Sequence, residues 1–121
     1  IEIYGRVPYE EPRNFHETSW GLLFPSIWEE PLPYAVIESM LAGTIPVAAR
    51  VGGVPEIVNE SFAENVMYDP GDVEKIVDKT MYIASLSKKL LIDVANDLRG
   101  NVLRKFNIEE LKNMFLEVFS T

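Results

Sequence analysis

Two glutamates in one short stretch of this chain, Glu30 and Glu38, are its best candidates for chemistry. Glu30 lies in a proline-rich loop after a predicted strand, and Glu38 falls in the second turn of a helix predicted over residues 34–42. The start of that helix lies between the two carboxylates. This arrangement suits a ligand that carries both hydroxyl groups and phosphates.

The start of this helix is a predicted anion site. Its first N–H groups have no partner inside the helix and carry a partial positive charge of about half an elementary unit, which suits a diphosphate. Leu32, Tyr34 and Ala35 can offer such N–H groups. Pro33 has no N–H to offer, although proline is conformationally favourable at the first helical position.

Glu38 is expected to be buried, because the rest of its helix is apolar nearly all round. A buried carboxylate is costly unless it accepts hydrogen bonds, and the two hydroxyl groups of a ribose would supply them. A structural role stays open, in which Glu38 caps loop amides or pairs with a nearby cation. Glu30 taken alone is more typical of a solvated acidic loop, since it follows Glu29 directly.

The elements that position these residues alternate between strand and helix through residue 68, which predicts an α/β fold with a Rossmann-like parallel sheet and helices on both faces. Strands are predicted at residues 1–4, 22–24, 45–49 and 66–68, the second of them buried, and helices or helical turns at 12–19, 34–42 and 55–58. Gly43 should end the central helix in a left-handed conformation, and Gly52-Gly53 should form a tight turn.

Ligands of parallel sheets bind outside the carboxyl ends of the strands. The loops after Tyr4, Phe24 and Ala49 are therefore expected to gather at one crevice. Glu30 lies in the second of these loops, so the crevice is the predicted site.

Residues 72–121 are predicted to form a helical tail of the same domain. Asp72, Ser87 and Asn107 are expected to cap three successive helices. Apolar residues recur at helical spacing, which predicts one buried stripe on each helix. The stripes consist of Val73, Ile76, Val77, Met81 and Ala84, then Leu91, Val94, Ala95, Leu98 and Val102, and finally Ile108, Leu111, Met114, Phe115 and Val118.

The composition is that of one globular domain over residues 1–121, since 47% apolar residues suffice for a core. The net charge of −8 excludes a broad basic surface for nucleic acid or an anionic membrane, while a helix start can still hold a small anion. The chain has no cysteine, and its single histidine, His16, has no second metal ligand nearby. Neither a metal nor another cofactor is predicted.

The start of the chain lacks a signal peptide, and no apolar run approaches the roughly 20 residues that span a bilayer. With no cysteine, this composition is compatible with a cytoplasmic protein. Ile1 is not a methionine and opens directly into a strand-like pattern. We therefore expect that a longer chain, including the first strand-helix units of this domain, precedes Ile1.

The region from Pro25 to Glu56 resembles the signature of retaining glycosyltransferases with two facing Rossmann-like domains, the B-type fold of sucrose, glycogen and mannosyl-transfer enzymes. The pattern has a Pro-Ser pair, two glutamates separated by seven residues, a methionine, and two glycine-proline elements. In this chain it reads Pro25-Ser26, Glu30, Glu38, Met40, Ala42-Gly43-Thr44-Ile45-Pro46-Val47 and Val51-Gly52-Gly53-Val54-Pro55-Glu56. Weaker similarity extends to Gly5-Arg6-Val7 and to residues 69–72.

The resemblance implies a role for several of these positions. Glu38 would bind the ribose hydroxyls of the donor, and Glu30, as the candidate catalytic residue, would contact the transferred sugar. The backbone at Val7 would face the base. The amides that would hold the distal phosphate and the sugar lie around Leu32, Pro33, Tyr34 and Ala35. This chain departs from the family at Pro33, where many members have glycine, and at Trp20, where a small acidic residue is common.

By the same resemblance, the chain would be the carboxy-terminal, donor-binding domain of a glycosyltransferase. The enzyme would transfer a sugar from a nucleoside diphosphate sugar to a glycan, lipid or small-molecule acceptor, with retained configuration. A preceding domain would supply the acceptor site, and the basic residues that neutralise the diphosphate would also lie upstream of Gly5. We therefore expect this chain alone to be inactive. Association with a membrane surface through the missing domain stays open, as do two other functions: a nucleotide-sugar epimerase and a non-catalytic binding module.

Overall fold

The computed structural model describes residues 1–120, which form two strands, six α-helices and one 3₁₀ turn. The strands are β1 (Gly21–Phe24) and β2 (Ile45–Ala48). The helices are α1 (Glu10–Thr18), α2 (Tyr34–Ala42), α3 (Val54–Val58), α4 (Val73–Ala84), α5 (Lys88–Lys105) and α6 (Ile108–Phe119). The 3₁₀ turn (Phe62–Val66) lies between α3 and α4.

Strands β1 and β2 form a parallel pair, with Gly21 opposite Ile45 and Phe24 opposite Ala48. Helix α2 is the crossover between them, as parallel strands require. Beyond β2 the pairing continues at a parallel bridge between Ala49 and Tyr68. The structure therefore confirms the predicted α/β class, with a parallel sheet, helices packed against it and a helical carboxy-terminal region.

Helix α2 lies in the centre of the core and has the predicted bounds. Pro33 precedes it in an extended conformation, and Gly43 ends it with a φ of 81° while the Gly43 N–H donates to the Met40 carbonyl at 3.0 Å. A Cβ at Gly43 would lie 2.8 Å from the Cβ of Ala95 on α5. Tight packing against α5 therefore fixes the position of α2, and with it the second turn that carries Glu38.

Two of the predicted strands are wrong. Residues 1–4 form no strand and are exposed, because no described strand lies beside them to complete their hydrogen bonds; the Tyr4 ring instead contacts Phe15 of α1, with centroids 4.7 Å apart. Of residues 66–68, Tyr68 alone makes a bridge, since the 3₁₀ turn extends to Val66. Strand β1 also differs from the prediction, because it is only partly buried and Leu23 is 49% exposed.

The three predicted caps of the tail helices are confirmed. The carboxylate of Asp72 accepts from the Lys75 N–H at 3.0 Å, and the Ser87 hydroxyl accepts from the Leu90 N–H at 3.2 Å. The Asn107 side chain accepts from the N–H groups of Glu109 and Glu110. The predicted stripe of α5 is also confirmed, with Val94, Leu98 and Val102 buried and Leu91 and Ala95 partly buried.

The predicted stripes of α4 and α6 are wrong. On α4, Val73, Val77 and Met81 are exposed, while Ile76 is partly buried and Ile83 fully buried. No residue of α6 is buried, and the predicted stripe there is exposed throughout. Helical periodicity indicates that one face of a helix is apolar. It does not indicate whether another part of the described chain packs against that face.

Helix α6 should accordingly contribute little to stability. We predict that a chain ending at Phe106 unfolds within about 2 °C of the full chain, because α6 buries no side chain. Thermal unfolding followed by circular dichroism measures this. The control is Leu98→Ala, which empties a fully buried position in α5 and should cost about 2–5 kcal/mol. A truncated chain as unstable as that variant would contradict the described position of α6.

The end of α5 anchors α3, the helix that follows the glycine turn at residues 52–53. The Lys105 ammonium donates to the carbonyls of Glu56 at 2.9 Å and Ile57 at 3.2 Å, near the end of α3. Burial lowers the pKa of Lys105. The side-chain amide of Asn101 reaches the Asn59 carbonyl at 3.2 Å. These contacts hold the segment after the glycine turn against the core.

Candidate functional site

The loops that follow the two strands meet at the carboxyl end of the sheet. The Gly53 N–H donates to the Glu30 carbonyl at 2.9 Å, and the Gly52 N–H donates to the Glu29 carboxylate at 2.6 Å. The Tyr68 hydroxyl donates to the carbonyl of Phe24, the last residue of β1, at 3.2 Å. Burial raises the pKa of Tyr68. The loop that carries Glu30 is thus attached at its beginning and near its end.

The predicted tight turn at Gly52 and Gly53 is present. Both the backbone conformation and the close packing of this turn require glycine. Gly52 has a φ of 48°, which favours glycine. In addition, a Cβ on Gly52 would overlap the Glu30 carbonyl oxygen, and one on Gly53 would overlap the Pro31 carbonyl oxygen. Two backbones therefore lie in direct contact here, and neither position has room for a larger residue.

The start of α2 offers two N–H groups without partners among residues 1–120. The first hydrogen bonds of the helix run from the Val36 and Ile37 N–H groups to the Pro33 carbonyl, at 3.1 and 3.4 Å. Tyr34 and Ala35 precede them and donate to no described residue. The Tyr34 side chain is 68% exposed, whereas that of Pro33 is fully buried. This helix start is therefore open to an anion on the side of Tyr34.

Glu38 is half-buried, so the expectation that it would be buried is wrong. One of its oxygens, Oε1, accepts a hydrogen bond from the Tyr9 hydroxyl at 3.2 Å. No lysine or arginine of residues 1–120 forms an ion pair with it. The groove between α1 and α2 leaves this carboxylate accessible, with a neutral partner on one oxygen.

This groove holds a cavity of about 370 Å³ beside Glu38. The α2 side of the cavity is lined by Leu41 and Ala42. The other side is lined by residues at the start and on one face of α1, namely Tyr9, Arg13, His16 and Glu17. Arg13 pairs with Glu17 at 2.8 Å, and this hydrogen bond raises the pKa of the guanidinium above its ordinary value. Tyr9 and Arg13 are not among the predicted site residues, although their i, i+4 spacing with Glu17 places all three on one helix face.

The other predicted residues lie outside this cavity. Glu30 and Leu32 are exposed, Val7 is half-buried, and the Glu30 carboxylate forms no hydrogen bond or ion pair with a described residue. Ala35 lines a second cavity, of about 320 Å³, between α1 and β1. His16 borders both cavities and is 9% exposed, with its carbonyl accepting from the Thr44 hydroxyl. Trp28, in the same loop as Glu30, is 75% exposed.

Among residues 1–120, no three histidine, cysteine or acidic side chains come together as metal ligands would. No helix in that part of the chain is both long and apolar enough to cross a bilayer.

Comparisons with known proteins agree with the geometry. The model of the family described as "Glycosyl transferases group 1" matches residues 1–105. One subunit of the phosphatidylinositol N-acetylglucosaminyltransferase of Arabidopsis thaliana is 30% identical over 83 residues, which are 69% of this chain and 18% of that protein. Sulfoquinovosyl transferase SQD2 of the same plant is 42% identical over 52 residues, which are 41% of this chain and 10% of its own length. No solved structure gives a significant match.

Proposed function

Because this chain belongs to the group 1 glycosyl transferase family, we propose that it binds the nucleoside diphosphate sugar from which such an enzyme takes the transferred glycosyl group. One observation carries the proposal. Glu38 is an accessible carboxylate with a neutral partner, and it lies about one turn from the two free N–H groups at the start of α2. A ligand with adjacent hydroxyl groups and phosphates satisfies both features.

In this proposal the nucleoside lies in the cavity between α1 and α2. The ribose hydroxyls donate to Glu38, and the cavity of about 370 Å³ beside it accommodates the nucleoside. The Tyr9 hydroxyl occupies one oxygen of Glu38 and leaves the other for the ribose. The base lies toward the backbone of Val7, in the segment that leads to Tyr9.

The diphosphate lies at the start of α2. The N–H groups of Tyr34 and Ala35 hold its distal phosphate, Leu32 and Pro33 border the same position, and Glu30 contacts the transferred sugar from the exposed loop. These N–H groups are fixed by a helix that is packed in the core, so they need no rearrangement when negative charge develops on the leaving diphosphate. The contribution of this chain is therefore electrostatic stabilisation and orientation of the donor.

We further propose that residues 1–121 form the donor-binding domain of a retaining transferase, active with a second domain that binds the acceptor. The stretches matched in the two Arabidopsis relatives are 18% and 10% of their lengths, so each relative has room for such a domain. The acceptor is a glycan, a lipid or a small molecule. We place the reaction in the cytoplasm.

An NMR titration of the chain with uridine, guanosine and adenosine diphosphate sugars tests the proposed function. We expect at least one of them to bind with a Kd in the range of about 0.1–1 mM, because Arg13, the basic side chain in the cavity lining, is already paired with Glu17. The amide signals of Tyr34, Ala35 and Glu38 should shift most. Absence of binding by all three sugar nucleotides would count against the proposal, as would shifts confined to α5 and α6.

A further inference from the structure

Glu29 and Glu30 are adjacent in one exposed loop, yet they make different contacts. The Glu29 carboxylate accepts the Gly52 N–H at 2.6 Å, from the turn that follows β2. The Glu30 carboxylate forms no hydrogen bond or ion pair with a described residue, while the Glu30 carbonyl accepts the Gly53 N–H at 2.9 Å. Two successive N–H groups of the glycine turn thus hold two successive residues of the loop, one by its side chain and one by its backbone.

The glycine turn and the loop that carries Glu30 are in close backbone contact. A Cβ on Gly52 would lie 2.7 Å from both the nitrogen and the carbonyl carbon of Glu30, so the backbone of Glu30 rests directly on the turn. A hydrogen bond to an ionised carboxylate is about twice as strong as a neutral one. The Glu29 side chain is therefore the strongest single attachment between this turn and the loop.

We propose that Glu29 is a positioning residue that holds the backbone of Glu30 on the glycine turn, so that the Glu30 carboxylate points toward the transferred sugar. The inference depends on the proposed function for the role of Glu30. In this arrangement Glu29 acts through the Gly52 N–H, which donates to its carboxylate, and not through a contact with the sugar nucleotide. Its effect should therefore appear in recognition of the sugar and not in recognition of the nucleotide, which binds at Glu38 and α2.

The test is an NMR titration of the whole chain with two probes, one with the sugar and one without it. They are the nucleoside diphosphate sugar that the wild type binds best and the same nucleoside diphosphate without its sugar. For Glu29→Ala we expect affinity for the sugar nucleotide to fall about tenfold and affinity for the diphosphate to stay within about twofold. Glu29→Gln keeps an acceptor at the same reach and should restore most of the tenfold loss.

The Gly52 amide signal gives a readout that does not depend on a ligand. Its proton should move upfield in Glu29→Ala and move less in Glu29→Gln, whereas Glu30→Gln should leave it in place. If Glu29→Ala does not fold, Glu29→Asp replaces it, because one methylene less removes the contact while the charge is kept.

Several results would overturn the inference. They are an equal loss of affinity for both probes, an unchanged affinity for both, and a Gln variant as weak as the Ala variant. In each of these cases nucleotide binding itself persists, so the proposed function stands. A wild-type chain that binds neither probe would overturn the proposed function and this inference together.

Discussion

Replacing Glu38 with alanine is expected to weaken binding of the sugar nucleotide by at least about 100-fold. Two ribose hydroxyls that donate to one carboxylate form two charge-assisted hydrogen bonds, each worth about 1.5–3 kcal/mol. The loss of both bonds should lower the affinity for the sugar nucleotide more than the removal of any other single side chain of the site. An NMR or calorimetric titration of wild type and variant with the best-bound sugar nucleotide measures the effect.

Two variants of the same groove are the controls. Glu17→Ala removes another carboxylate that lines the cavity, one that pairs with Arg13, and should change affinity by less than about threefold. Tyr9→Phe removes the hydroxyl that donates to Glu38 and leaves both oxygens free, so binding should persist. If Glu17→Ala weakens binding as much as Glu38→Ala, the loss is not specific to position 38 and does not show a contact with the ribose.

The second large effect concerns the fold around the site. Gly52→Ala should destabilise the chain by at least about 3 kcal/mol, because alanine at a positive φ costs about 1–2 kcal/mol and the new methyl group overlaps the Glu30 carbonyl. The loop that carries Glu30 must then move away from the turn. Chemical denaturation gives the stability change, and the titration described above gives the accompanying loss of affinity for the sugar nucleotide.

Gly71 provides the matched control for this substitution. Its φ of 83° is also positive, but a Cβ there would meet no atom within 4 Å. Gly71→Ala should therefore cost about 1–2 kcal/mol, the backbone contribution alone. A Gly52→Ala chain no less stable than Gly71→Ala would show that the two loops do not lie in contact as described.

The parts of the fold that the sequence predicts well are those decided by local chemistry. Helix α2 begins after Pro33, which has no N–H, and ends at Gly43, which adopts a left-handed φ, so both of its ends are visible in the sequence. The caps at Asp72, Ser87 and Asn107 are local for the same reason. In each case the deciding contact joins residues no more than four positions apart.

The parts that the sequence predicts poorly depend on a distant partner. Residues 1–4 have strand-forming side chains, but a strand needs a neighbour to pair with, and none lies beside them in residues 1–120. The apolar stripe of α6 has the correct period and remains exposed, because periodicity does not identify a covering surface.

Some features of the candidate site can likewise be predicted from the sequence, and others cannot. The spacing of Glu30 and Glu38 and the helix start between them can be read directly from the sequence. The contact between Tyr9 and Glu38 joins residues 29 positions apart, and the overlap that requires glycine at position 52 joins two separate loops. Only the packing of α1 on α2 and of loop on loop shows these contacts, and the same packing leaves Glu38 half-buried.

The central claim is that Glu38 binds the ribose hydroxyls, and a thermodynamic cycle tests it most directly. Wild type and Glu38→Ala are titrated with the uridine, guanosine or adenosine diphosphate that binds best, and with its 2′,3′-dideoxy analogue. If the claim is correct, removal of the hydroxyls weakens binding to the wild type by at least about 30-fold and leaves binding to Glu38→Ala nearly unchanged. Equal losses for both proteins would show that the hydroxyls bind elsewhere and would contradict the claim.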